Sequence, residues 1–210
     1  MRVALVRMTA GVVVGLTTLV GVVGASQAAG SPASAARSWL AAQQQADGGF
    51  ELAAFPGFET PDAVFALAAA AQSSGWDACT ARSAVAAVHT AGGKTGLDAL
   101  DDLAATQGTD PGIAAKLIVL TTLPLGLDAH DFDPSNDSAT AVDLVANVVA
   151  AAQPDGQFKA GALNATAYSA IALRRVQGVA YAPAIAYLKS VQIADGSWNY
   201  AGSTDPGGGD

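Results

Sequence analysis

The sequence predicts an all-α protein built from successive helical hairpins, and three observations carry that expectation. Alanine is abundant in a chain of 210 residues that is 51% hydrophobic and only 13% charged. Alanine has the most favourable intrinsic helix propensity, so such a composition leans helical. A pattern that ends one helix and turns the chain recurs three times. Each of the first two recurrences is followed by a second, more apolar helical segment. Internal recurrence of this kind is the mark of a repeat architecture.

The turn pattern stands in full in YLKSVQIADGSW, residues 187–198. It returns in WLAAQQQADGGF, residues 39–50, and in VVAAAQPDGQF, residues 148–158. The distance from the leading apolar residue to a glutamine is five in each: Trp39 to Gln44, Val148 to Gln153 and Tyr187 to Gln192. Glycine follows aspartate directly at Gly48, Gly156 and Gly196. An aromatic stands two residues further on, at Phe50, Phe158 and Trp198. Asp-Gly reverses a chain because glycine tolerates positive φ. The aromatic is then expected to fold back onto its own helix pair, and the glutamine to bond backbone at the turn. Trp198 is expected in the core of its turn.

The elements follow in order. A first helix spans 33–45, with Ala36, Trp39, Leu40 and Gln43 on one stripe. The second spans 60–74, with Thr60 as N-cap and Pro61 at the first helical position. A third, 77–91, carries Cys79 and His89. A more decayed hairpin takes 96–107 and 111–124, with Gln107 in the glutamine place, Asp110 as cap and Pro111 opening the next helix. Residues 138–152 form a helix capped by Asp137 or Ser138. Asn164 caps 164–177, and a last helix covers 182–193. PDAVFALAAAA and PGIAAKLIVLTTL are apolar nearly all round, whereas AARSWLAAQQQ and APAIAYLKSVQ keep a polar side. Buried inner helices within an outer set of amphipathic ones are expected.

The first 29 residues read differently. Arg2 and Arg7 precede the uncharged stretch MTAGVVVGLTTLVGVVG, and Ser26 and Ala28 fit the −3 and −1 positions of a cleavage site. This is the layout of a secretory signal peptide, with a retained anchor helix as the other reading. The domains expected are therefore 1–29, a signal peptide, and 30–210, the helical domain, secreted or extracytoplasmic. The membrane enters only through the signal peptide before cleavage. The net charge of −8 and the lack of basic clusters argue against a nucleic-acid partner. The single cysteine, Cys79, cannot form an internal disulfide and is expected to be buried on its helix.

The turn pattern resembles the QW-type motif of the prenyltransferase and squalene oxidase repeat, or squalene-cyclase-like, superfamily. Residues 187–198 match it in full. Phe50 and Phe158 replace the tryptophan, Val148 replaces the leading aromatic, and Pro183 stands where a basic residue is usual. The resemblance covers residues 31–210 and looks closest to secreted actinobacterial members. It implies an α/α toroid of alternating inner and outer helices. It also implies that this chain is an incomplete, open ring, truncated at its C-terminus and missing the inner partner of its last helix.

None of the family's catalytic signatures is intact. The acid motif of its cyclases, D-x-D-D, has DFDP as its nearest counterpart, with Pro134 in place of the last aspartate. Cys79 and His89, expected ten residues apart on one helix, are separated by about 15 Å of rise and cannot share a zinc. DACTA is not a thioester segment. An EF-hand frame from Asp131 through Asp133 and Asp137 puts Asn136 where glycine belongs and Val142 where the bidentate glutamate belongs. No metal or cofactor is therefore expected. The reading is a non-catalytic domain that binds a small apolar ligand or a cell-surface partner. The alternatives are a terpenoid cyclase or prenyltransferase-like enzyme with an unrecognised acid, and a structural adhesion module. A ligand is expected where the inner helices begin, at Phe58, Glu59, Asp62, Asp110, Asn164 and Tyr168, with Tyr200 at the same mouth.

Overall fold

The computed structural model of the chain describes residues 31–51, 59–136 and 141–205. Residues 1–30, among them the expected signal peptide, and Phe58, Asp137 and Ser138 lie outside them. Within the described residues the regular structure is helical, apart from two isolated backbone bridges, His89 with Thr95 and Phe132 with Val142. No helix of the described residues is long and apolar enough to cross a membrane.

The helices are α1 (Pro32–Gln43), α2 (Thr60–Ala70), α3 (Ala78–Ala86), α4 (Gly96–Gln107), α5 (Pro111–Leu117), α6 (Leu123–Leu125), α7 (Leu144–Ala150), α8 (Leu163–Gln177) and α9 (Ala182–Ser190). A π-helical turn, Ile118–Thr122, joins α5 and α6 into one rod. Pro124 explains it, because proline offers no N–H and crowds the carbonyl one turn back, which a widened turn relieves. The hydroxyls of Thr121 and Thr122 donate to the carbonyls of Leu117 and Ile118 at 2.6 and 2.8 Å.

Two layers result. The buried layer is α2, the α5–α6 rod and α8: α2 packs on the π turn, and α5 packs on α8. Val64, Leu67, Ala114, Leu117, Ile118, Ala172 and Leu173 meet there. Alanine-rich faces let these helices approach closely. Outside them α1 lies on α2, α4 on α2 and α5, α7 on α5 and α8, and α9 on α8. The two end helices are held from one side. α1 buries none of its residues and α9 buries only Ala184. Trp39, expected on the packed stripe of α1, is 64% exposed.

The turns after α1, α7 and α9 share one geometry. Gly48, Gly156 and Gly196 have φ of 92°, 92° and 91°. Each glycine N–H donates back three residues, to Gln45, Gln153 and Ile193, at 2.9 to 3.0 Å. Those three residues in turn donate to the carbonyls of Gly49, Gln157 and Ser197, at 2.8 to 2.9 Å. The carboxylates of Asp47, Asp155 and Asp195 accept from the N–H two residues on, at 2.9, 3.0 and 2.9 Å. A hydroxyl on the following helix locks two of them. Thr60 accepts the Phe50 N–H at 3.0 Å, and Thr166 accepts the Phe158 N–H at 3.2 Å. The linker between α3 and α4 closes in the same way, with Thr90, Gly93 (φ 83°) and Lys94.

This superposition corrects the register read from the sequence. Gln44 and Gln192 are equivalent and donate to the carbonyls of Gly48 and Gly196, at 3.0 and 2.8 Å. Gln153 falls one position later and matches Gln45, because one residue fewer separates it from its glycine. The aromatics also part company. Phe50 and Phe158 are buried, but Trp198 is 46% exposed, and its indole N–H donates to the Leu188 carbonyl of α9 at 2.7 Å.

Several helix starts differ from expectation. Thr60 lies inside α2, and its N-terminus is capped from a distance by Glu51, which accepts from the Thr60 N–H at 3.2 Å. Asn164 also lies inside its helix, with Ala162 at the cap position. Asp143, not Asp137 or Ser138, caps α7, accepting from Ala146 at 2.8 Å. α3 ends at Ala86, so His89 is off the helix, and Cys79 is exposed rather than buried. Asp110 does cap α5, accepting from Gly112 and Ile113 at 2.9 and 3.2 Å, and Pro111 opens it.

The turn geometry separates two effects at one residue type. A side chain at Gly156 would overlap the Pro183 carbonyl, whereas at Gly196 the nearest atom is the Gln192 amide, 4.0 Å away. Both substitutions carry backbone strain of about 1–3 kcal/mol. Urea unfolding should therefore show Gly156→Ala to be clearly more destabilising than Gly196→Ala. Equal losses would mean that strain alone governs both turns.

Candidate functional site

The starts of α5 and α8 lie side by side and enclose a pocket of about 200 Å³. Asp110 stands at the start of α5, where its side chain satisfies two of the N–H groups that a helix start leaves open. Its other oxygen takes the Lys159 ammonium at 2.6 Å. Lys159 follows the buried Phe158 and so projects from the turn toward α5. Asn164 and Tyr168 are one helical turn apart on α8 and line the same pocket. The Asn164 side-chain amide oxygen, Oδ1, accepts from the Ala165 N–H at 2.8 Å. Tyr200 is brought in by its backbone, whose carbonyl accepts from the Leu163 N–H at 2.9 Å.

Lys116 closes the floor. It belongs to the buried rod, its side chain is 3% exposed, and its ammonium pairs with Asp62 of α2. A buried ammonium is costly unless paired, so the bond to Asp62 is a condition of this packing. Asp62 is half-exposed and lines a second, more apolar groove of about 500 Å³ between α1 and α2. Trp39, Leu40, Phe50, Ala63 and Ala66 form its apolar wall, with Glu51 and Glu59 at the rim.

Electrostatics follow from these contacts. Burial tends to raise the Asp110 carboxyl, but the bond from Lys159, the N–H groups of Ile113 and Gly112 and the Lys159 charge outweigh it and hold the group below the usual carboxylate range. The bond to Asp110 likewise raises Lys159 above its ordinary value. Burial, with the negative charge of Asp62, pushes the Tyr168 hydroxyl up. At Glu51 burial again works upward and is outweighed by bonds from Thr60 and Glu59, which lower it. At neutral pH the pocket thus holds ionised, internally paired charges beside neutral hydroxyl and amide groups.

The structure brings Asp110, Asn164, Tyr168 and Tyr200 together in one pocket, and puts Glu59 and Asp62 in the neighbouring groove. Phe58 lies outside the described residues. Lys116 and Lys159 were not singled out from the sequence. Lys116 is the one charge within PGIAAKLIVLTTL, and a lone cation in an apolar helix is the signal that could have found it. Among the described residues no cluster of three or more His, Cys, Asp or Glu side chains could hold a metal ion. In the DFDP segment, Phe132 is buried and exchanges backbone hydrogen bonds with Val142 at 3.1 and 3.2 Å. The stretch is thus partly packed rather than wholly a solvated loop.

Comparison with protein-family models, with curated proteins and with solved structures gave no match.

The Asp110–Lys159 pair has a defined pH signature. A carboxyl lowered on folding contributes stability that is present above its unfolded value, about 3.9, and is lost as pH falls through the folded value. A lysine raised on folding contributes stability that is lost as pH rises above about 10.4. Asp110→Asn keeps a capping oxygen but loses the charge. It should cost at most about 1 kcal/mol at neutral pH and flatten the acid limb of stability against pH. Chemical denaturation between pH 3 and pH 7 (about the range that matters) checks this; an unchanged acid limb would show that the pair is not formed in solution.

Proposed function

We propose that residues 31–205 are an arc of an α/α toroid of the prenyltransferase and squalene-cyclase-like kind, and that the domain binds rather than catalyses. The fold reading is supported by the alternation of buried and outer helices and by the shared turn after α1, α7 and α9. The binding reading rests on one observation: side chains from α5, α8 and the segment after α9 converge at the start of the buried layer, around Asp110, Asn164, Tyr168 and Tyr200. Concave sites with a few convergent polar groups are the usual form of a small-molecule site.

The ligand is a small molecule with an apolar body and a hydrogen-bonding end, or the equivalent part of a surface partner. Tyr168 and Asn164 hold the polar end, and the α1–α2 groove offers apolar surface nearby. An alkene-protonating acid is disfavoured, because the pocket's carboxylate is held low and has no proton to give at neutral pH. The domain acts outside the cytoplasm, on the strength of residues 1–29.

Two measurements test this. Mass spectrometry of the protein exported by a bacterial host should show a chain that begins at Ala29 or Gly30; retention of Met1 in the exported protein would count against the secretory reading. Thermal unfolding of that protein should rise with one class in a panel of terpenoid, fatty-acyl and sterol-like molecules. The gain is about 2.7 kcal/mol at a hundredfold excess over Kd. Asn164→Ala and Tyr168→Phe should lose the shift while melting normally alone. If no member stabilises the protein, or both variants respond as the parent does, the pocket is not the binding site.

A further inference from the structure

The turns that end α1, α4 and α7 are each covered by the beginning of a later outer helix, whereas the turn between α3 and α4 at Gly93 stands open among the described residues. After α1, a side chain at Gly48 would overlap the Thr95 carbonyl just before α4, and the Gln44 amide also donates to Val88 at 3.3 Å. After α4, the Gly108 carbonyl accepts from the Asn147 amide of α7 at 2.8 Å. After α7, Gly156 meets the Pro183 carbonyl of α9, and Phe158 packs edge-on against Tyr181 with centroids 5.4 Å apart. After α9 the same turn forms with φ 91°, yet among the described residues only its own Gln192 lies within 4 Å of a side chain placed at Gly196, and Trp198 is left half-exposed.

The grooves at the two ends are complementary. Between α8 and α9 an apolar groove of about 360 Å³ is lined by Ile171, Ile185 and Leu188 and carries Arg174 and Arg175. Between α1 and α2 the groove is lined by Trp39, Leu40 and Ala66, with Glu51, Glu59 and Asp62. One end is apolar with a basic rim, and the other is apolar with an acidic rim. Trp39 at one end is 64% exposed, and Ile171 and Ile185 at the other are 44% and 38% exposed, with Trp198 at 46% on the turn after α9; exposed apolar side chains in a groove mark an interaction surface.

We propose that the two ends are halves of one interface: the α8–α9 end of one copy receives the α1–α2 end of a second copy, head to tail. The start of α1, at Ser31 and Pro32, covers the Gly196–Trp198 turn as Thr95 and Pro183 cover Gly48 and Gly156 within the chain. Arg174 and Arg175 face the acidic rim of the second copy. Such a contact is heterologous, so it adds copies until a ring closes or a filament forms. Opposite rim charges make the encounter salt-sensitive. The proposal stands on the turns and the end grooves; it shares only the α1–α2 groove with the binding reading, and the pocket at Asp110, Asn164, Tyr168 and Tyr200 is left to the ligand.

The test is sedimentation velocity of the exported protein across concentration, in low and high salt. Mass should grow with concentration and shrink with salt. Trp39→Glu alters only the acidic end, and Ile171→Glu only the basic end. Both sites are exposed, and circular dichroism melts check that each variant folds. Each variant alone should be monomeric. Mixed in equal amounts they should form a 1:1 dimer that grows no further, because the pair uses the one intact end of each kind and leaves only altered ends outward. A parent chain that stays monomeric up to about 1 mM overturns the proposal, and so do single variants that still self-associate or a mixture that stays monomeric.

Discussion

A left-handed glycine at the foot of an outer helix is the constraint on which this architecture turns. At φ near 90° a side chain is strained whatever surrounds it, so Gly48, Gly156 and Gly196 fix where the chain reverses. At Gly48 and Gly156 the missing Cβ has a second consequence. It lets the carbonyl of Thr95 or Pro183 lie against the turn. The same atom count thus sets both the reversal within a hairpin and the spacing to the next one. The aromatic two residues on is carried inward by that reversal, and the hydroxyl of Thr60 or Thr166 holds its N–H. Which faces α2 and α8 bury follows from there.

What the sequence discloses is what depends on few neighbouring residues. The Asp-Gly-x-aromatic spacing is local, and all three turns adopt the expected left-handed glycine. The bounds of α4 and the cap of Asp110 on α5 are local too, and they agree with expectation. The register of Gln153 was misread for a local reason: counting forward from Val148 ignores the residue missing between glutamine and glycine. Other departures are tertiary. Glu51 caps α2 from nine residues upstream, and the Thr60 hydroxyl serves the turn instead. Trp198 has the same place in its turn as Phe158, but burial depends on what lies above, and Tyr181 covers Phe158 alone. The starts of the buried helices were legible as the lining of one pocket because Asp110, Asn164 and Tyr168 sit on them. Lys116 was not, since its partner Asp62 lies on another helix and nothing local announces the pair.

That pair shapes the chemistry of the mouth. A lysine buried to 3% exposure within the rod is tolerable only with a carboxylate beside it. Replacing both by apolar residues would cost little on general grounds, whereas removing Asp62 alone would strand a charge. The pair therefore does more to fix α2 against the rod than to add stability. Lys159 and Asp110 do the same for the turn before α8 and the start of α5. Both cations at the mouth are thus already matched by carboxylates of the chain. An anionic ligand would have to displace one of them. The groups left facing the pocket are the neutral Tyr168 hydroxyl, kept protonated by burial and by Asp62, the Asn164 amide and Tyr200. A site of this composition, on the binding reading, would select by hydrogen bonding and apolar contact rather than by charge. On the binding reading, an uncharged ligand with one polar end fits the mouth better than a phosphate or a carboxylate does.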